Sequence, residues 1–187
     1  MRVLALLSAA PTAAQRRGAF AADDEVEPGA LDGLHAPAVL AGDDRQCGPE
    51  RRCLETAGAL GLASAPQSIL RAWDLGSWAG RTIAELGDEE PASLGAWRED
   101  PDAAPHGGET LSQLLDRVGA WLDEPSERER ERAVAVADAS VVRASVIRAL
   151  GADWHAYWRL DLPPLTVSVL THGSGVWRVR SVAVPLR

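Results

Sequence analysis

Apolar residues run unbroken from Val3 to Leu7, and a second run, Ala133 to Ala137, follows a highly charged stretch. Short continuous apolar runs bounded by turn residues are the signature of buried strands, so Arg2–Leu7 and Arg132–Ala137 are predicted strands. Helical spacing takes over elsewhere. Leu111, Leu114, Leu115, Val118 and Leu122 predict a helix from Glu109 to about Glu124. Pro49 opens a helix expected over Glu50–Leu60, stopped by Gly61, and Ser140–Leu150 is expected to end at Gly151. Leu165–Leu170 and Val176–Val184 predict a hairpin around His172-Gly173-Ser174-Gly175. Asp44–Cys47 and Ser68–Leu70 read as further short strands. Ala13–Phe20, a stretch within Asp23–Asp43, and the neighbourhoods of Ile83 and Leu94–Trp97 read as short helices. The alternating charges Glu127 to Glu131 read as a solvated helix end.

Strands alternating with helices imply an α/β layer architecture. With 187 residues and neither internal repeat nor low-complexity linker, one domain over 1–187 is expected. Charge narrows the ligand. The net charge is −8, and a nucleic-acid or anionic-membrane partner would call for a basic patch. All 19 cationic residues are Arg, so a lysine Schiff base, a pyridoxal-phosphate anchor and a Walker-type lysine are excluded. Cys47 and Cys53 form no CxxC pair and read as free thiols in a reducing cytoplasm. The five-residue run Val3–Leu7 is at the short end for a signal core and reads as a buried strand. No His/Cys/Asp/Glu spacing reads as a zinc site, and no cofactor is implied.

Three blocks carry more specific information: Cys47-Gly-Pro-Glu-Arg-Arg-Cys-Leu-Glu-Thr-Ala57, Pro105-His-Gly-Gly-Glu-Thr110 and Val134-Ala-Val-Ala-Asp-Ala-Ser-Val-Val-Arg-Ala144. In this order they resemble the histidine phosphatase (phosphoglycerate mutase-like) superfamily. The resemblance implies a three-layer α/β/α sandwich on a mostly parallel sheet, with a small lid insertion at roughly 71–108. It also implies a first strand ending in Arg-His-Gly, whose histidine takes the phosphoryl group. Here that place holds Ser8-Ala9-Ala10, and Asp138 stands where the family's second histidine is expected. The first block is similar to that of small actinobacterial members reading Ser-His-Ala-Pro-Thr, from which Ala9 is the single departure.

The resemblance maps the phosphate-clamping arginine to Arg52 and the acid to Glu109. Each residue also has a plainer reading: Arg52 on an exposed helix face, Glu109 favoured by the macrodipole of a helix N-terminus, Asp138 as an N-cap. Two close carboxylates could share a proton, one of them with a raised pKa, and work as acid and base. Ser8, Thr12, Arg52, Asp74, Trp78 and His106 complete the candidate ligand-binding set, with Trp73 and Trp97 as further aromatic walls.

With Ala9 unable to attack phosphorus and Asp138 repelling anions, the sequence predicts a protein that is not a phosphatase or mutase. The expected pocket is repurposed for a non-phosphorylated small organic molecule, with Glu109 and Asp138 catalysing a cyclisation, isomerisation or elimination in a biosynthetic pathway. The alternative is a non-catalytic pseudophosphatase that binds a metabolite or protein. Neither nucleic acid nor membrane is an expected partner, and the reading admits a homodimer.

Overall fold

Side chains of alternate parity along the first strand enter two different cores. The computed structural model describes residues 1–124 and 132–186, and it begins with β1 (Arg2–Ser8). Leu4 and Leu6 join one apolar cluster, while Ala5 and Leu7 join another. β3 (Arg132–Ala137) repeats the division, with Ala133 and Ala135 on the first side and Val134 and Val136 on the second. A strand covered on both faces has no polar side, which is why both segments read as unbroken apolar runs.

β2 (Asp44–Cys47), β4 (Thr166–Gly173) and β5 (Val176–Pro185) complete a sheet of order β2-β3-β1-β4-β5. β1, β2 and β3 are mutually parallel, β4 runs antiparallel to β1, and β5 antiparallel to β4. Four strands therefore share one direction and β4 alone is reversed. On one face pack α5 (Leu111–Leu122) and α6 (Ala139–Leu150), through Leu114, Val118, Val142 and Val146. On the other packs α2 (Arg51–Ala59), through Cys53 and Ala57. Three layers result, the architecture that the sequence implies.

α1 (Ala13–Arg16) is shorter than expected, because Gly18 takes a φ of +70° directly after it. Two short helices, α3 (Ile83–Glu89) and α4 (Pro91–Glu99), occupy the segment between β2 and α5. Ser68–Leu70 is a 3-10 turn and not a strand; the ladder beside Cys47 is a single bridge to Pro66, and Leu70 bonds back to Gln67. Within Asp23–Asp43 the regular helix is a 3-10 turn at Ala38–Leu40. Glu127 to Glu131 lie outside the described residues. Among the described residues no helix is long and apolar enough to cross a membrane.

The parallel strands end together. Ala9 N–H donates to Ala137 (2.9 Å), Gly48 N–H to Val136 (2.9 Å), and Ala10 N–H to the Thr56 hydroxyl (2.9 Å). Parallel α/β sheets place ligands outside the carboxyl ends of their strands, and here that edge carries Asp138 and Arg52.

Candidate active site

Pro49 and the turn after β2 aim α2 so that Arg52 lies under the ends of β1 and β3, 1% exposed. It is thus a buried group and not a solvent-facing one. Its Nε and Nη2 donate to Oδ2 of Asp138 at 3.1 and 3.0 Å, and Nη1 donates to the Ala22 carbonyl at 2.8 Å. Asp138 ends the turn after β3 and caps α6, with Oδ1 accepting from the Ser140 amide (2.8 Å) and hydroxyl (2.5 Å). Asp138 is therefore the N-cap of α6 and at the same time lines a cavity. Burial pushes the Asp138 carboxyl up, but Arg52 and Ser140 outweigh it and hold the group below its ordinary value.

Glu109 is placed differently. The Thr110 capping box with Gln113 starts α5 at Leu111, two residues later than expected, leaving Glu109 in the preceding loop. There Arg117 grips it with both prongs, Nε to Oε1 and Nη2 to Oε2 at 2.7 Å, while Arg71 reaches Oε1 at 3.1 Å. Glu109 and Asp138 thus each have their own arginine. The proton-sharing carboxylate pair predicted from sequence is not what forms.

Arg52, Asp138, Ser140 and Arg143 line a cavity of about 210 Å³ with Gln15 and the rings of Phe20, Trp73, Trp97, Tyr157 and Trp158. Trp73 stacks on Trp97 (5.2 Å between centroids) and meets Tyr157 edge-on at 5.5 Å. Its indole N–H donates to the Glu109 carbonyl (2.6 Å), and its amide donates to the Ser140 hydroxyl (3.1 Å), tying wall to floor. No imidazole is among the lining residues. A second hollow of about 420 Å³, holding Asp74, Glu50 and Arg71, adjoins across Trp73 and shares Arg52. A groove of about 480 Å³ at Pro11, Pro28 and Leu165 is larger still. Its charged lining groups, Arg16 and Glu27, pair with each other, so it offers less chemistry than the cavity over Arg52.

Other predicted site residues serve the scaffold. Ser8 turns away, donating to the Pro163 carbonyl (2.8 Å) and meeting the Thr166 hydroxyl (3.1 Å). Thr12 caps α1. Trp78 is fully buried and packs on Phe20, Trp97 and His106. Asp74 holds a turn by accepting from Gly76 N–H (2.9 Å). His106 is 3% exposed; its Nδ1 accepts from Gly108 N–H (3.0 Å), its Nε2 has no partner, and burial lowers its pKa despite nearby Asp74. Cys47 and Cys53 are buried free thiols, and burial with Glu50 alongside pushes Cys47 up to about 11.

Sequence reasoning missed Arg143, Tyr157, Trp158, Phe20 and Gln15. One signal was available for Arg143: it lies three residues after Ser140, hence on the same helix face.

A family model of the histidine phosphatase superfamily (branch 1) matches residues 35–185, a stretch that begins after β1. A glucosyl-3-phosphoglycerate phosphatase of Mycolicibacterium vanbaalenii is 40% identical over 96 residues, 49% of this chain and 43% of that protein. Phosphoserine phosphatase 1 of Hydrogenobacter thermophilus is 29% identical over 63% of this chain and 56% of its own length. The chain thus matches about half the length of these curated relatives. A phosphoserine phosphatase mutant from Entamoeba histolytica, solved in complex with phosphoserine, superposes with a TM-score of 0.83 at 18% identity, covering 98% of this chain and 97% of that one.

These relatives are phosphatases, which corrects the expectation of a protein without phosphatase activity, whether a repurposed acid–base catalyst or a pseudophosphatase. The physical reason lies in the cavity. Counting lost imidazoles left one cation, Arg52, whereas the folded site brings in a second, Arg143.

Proposed function

Because the chain belongs to the histidine phosphatase superfamily (branch 1), we propose that it hydrolyses a small organic phosphomonoester in the cavity over Arg52 and Asp138. The observation that carries this reading is the pair of guanidiniums, Arg52 and Arg143, lining one aromatic-walled cavity. Planar donor forks suit phosphoryl oxygens, and the rings of Trp73, Trp97 and Trp158 offer apolar surface to the carbon skeleton. A volume of about 210 Å³ equals about seven waters at ~30 Å³ each, which favours a ligand of few heavy atoms.

Ala9 supplies no nucleophile, so water is the phosphoryl acceptor. Its oxygen bonds to phosphorus as the ester P–O bond breaks. The Asp138 carboxylate, kept deprotonated by Arg52 and Ser140, takes the water's proton and returns it through solvent to the departing alcohol oxygen. The products are the alcohol and inorganic phosphate. Glu109 has no part in proton transfer, since Asp138 lines this cavity and Glu109, clasped by Arg117 and Arg71, does not.

Phosphate release from phosphoserine, 3-phosphoglycerate and phenyl phosphate tests this reading with the full chain. Release above a protein-free blank is expected for at least one ester, with no phosphoenzyme on rapid quench and loss of turnover in Asp138→Ala. Release at the blank level for all three esters would overturn it.

A further inference from the structure

Two guanidinium groups line the cavity, and one of them already has a carboxylate: Arg52 holds Asp138. Arg143 has none. Among the described residues no carboxylate oxygen lies within ion-pair distance of it, although it lines the cavity beside Asp138 and Ser140. Its Nε is buried without a hydrogen-bond partner, and its guanidinium carbon rests 4.9 Å from the centre of the Tyr157 ring. Tyr157 is no counter-anion, because burial pushes its hydroxyl well above the ordinary tyrosine value.

We propose that Arg143 receives the phosphoryl group of the ligand, an inference that rests on the phosphatase reading above. The argument begins in the sequence. Val141, Val142 and Ala144 are drawn into the core, which leaves Ser140 and Arg143, three residues apart, on the face turned to the cavity. A half-buried cation that no carboxylate answers is costly until an oxyanion meets the part of it that lines the cavity. Contact with the Tyr157 ring restrains the guanidinium, so less side-chain freedom is lost when the anion arrives. Ser8 cannot serve instead, since its hydroxyl is committed to Pro163 and Thr166. Arg52 contributes its remaining N–H groups, but its charge is largely answered by Asp138.

Inorganic phosphate is the probe. Calorimetric titration of the full chain is expected to give a Kd that rises about ten- to hundredfold in Arg143→Gln, the loss appropriate to charge-assisted hydrogen bonds. Arg143→Lys is expected to recover part of that loss. If Arg143→Gln does not fold, arginine modification of the wild-type chain by phenylglyoxal decides: phosphate should protect Arg143 and leave exposed Arg180 reactive. Phosphate binding that is unchanged in Arg143→Gln, or an unprotected Arg143 in a phosphate-bound chain, overturns this assignment; phosphate release from an ester by the wild-type chain would still uphold the phosphatase reading, with Arg52 as its cation. Protection by glycerate but not by phosphate also overturns it, making the anion a carboxylate. A wild-type chain that neither binds phosphate nor releases it from any ester overturns both this assignment and the phosphatase reading.

Discussion

Both Nε and Nη2 of Arg52 converge on a single oxygen of Asp138, Oδ2, while Oδ1 is taken by Ser140. One carboxylate therefore neutralises the buried arginine of α2 and caps α6, locking together two helices on opposite faces of the sheet. Removing one member of such a pair leaves an uncompensated buried charge. Asp138→Ala is expected to destabilise the chain by about 3–5 kcal/mol, with the lost cap included. Asp138→Asn, whose single acceptor oxygen can cap α6 or accept from Arg52 but not both, is expected to cost less than Asp138→Ala and more than nothing. Urea denaturation of the three chains checks the order.

The same pair sets a pH dependence. The folded Asp138 carboxyl titrates below its unfolded value, so its contribution is complete above the ordinary aspartate value of about 3.9. It disappears as pH falls through the lower folded value. The stability gap between the wild type and Asp138→Asn is expected to be constant above about pH 5 and to shrink below about pH 4. Thermal midpoints across that range measure it; a gap that widens on acidification would contradict the assignment.

His106 adds a second slope at higher pH. Burial lowers its folded pKa, so between that value and the ordinary ~6.5 the unfolded chain binds the proton and the folded chain does not. Stability is expected to fall as pH drops below about 6.5. His106→Asn, which keeps an acceptor for Gly108 N–H, is expected to flatten that part of the curve.

Glu109 is the residue for which sequence and structure assign different work. Held by Arg117 in a two-pronged pair with both side chains under a tenth exposed, it anchors the loop that carries Trp73. Glu109→Gln is expected to cost about 3–5 kcal/mol of stability while leaving turnover per folded molecule nearly unchanged. A kcat that drops a hundredfold in a fully folded variant would return Glu109 to the chemistry.

The layered fold was legible because β1 and β3 are buried on both faces and leave unbroken apolar runs, and because α5 and α6 keep helical spacing with clear stops. Arg52 and Asp138 were legible as site residues because their blocks carry a family resemblance. The partners of Glu109 were not. Arg117 sits eight residues away on α5 and Arg71 lies in a loop, and no local pattern joins them. Trp158 belongs to a 3-10 helix, Trp154–Arg159, whose place against Trp73 and Trp97 is a tertiary fact. Ser8 misled because its position fits the pocket edge, whereas its hydroxyl is drawn to the start of β4. Arg143 is one polar position in a largely apolar helix, and only the aromatic wall beside it shows a cation with no carboxylate partner among the described residues.

The loops that frame the cavity make a last, sharp prediction. Gly76 adopts a φ of +47°, and a Cβ there would lie 2.1 Å from the His106 carbonyl oxygen. Gly108 meets Asp74 from the other side, where a Cβ would lie 2.2 Å from its carbonyl oxygen. These two backbones touch, so the obstacle is main chain and cannot swing aside as a flexible side chain would. Gly80 has a φ of +82° but nothing within 4 Å of a Cβ. Gly80→Ala is expected to cost about 1–2 kcal/mol, the left-handed penalty alone. Gly76→Ala adds a backbone clash, and its cost is expected to exceed that of Gly80→Ala by about 2 kcal/mol or more. Chemical denaturation measures both. Separating the 74–77 and 106–109 loops should also displace Trp73 and reduce phosphate affinity in Gly76→Ala, whereas Gly80→Ala should bind phosphate as the wild type does. Equal losses in the two variants would show that the loops do not depend on this contact.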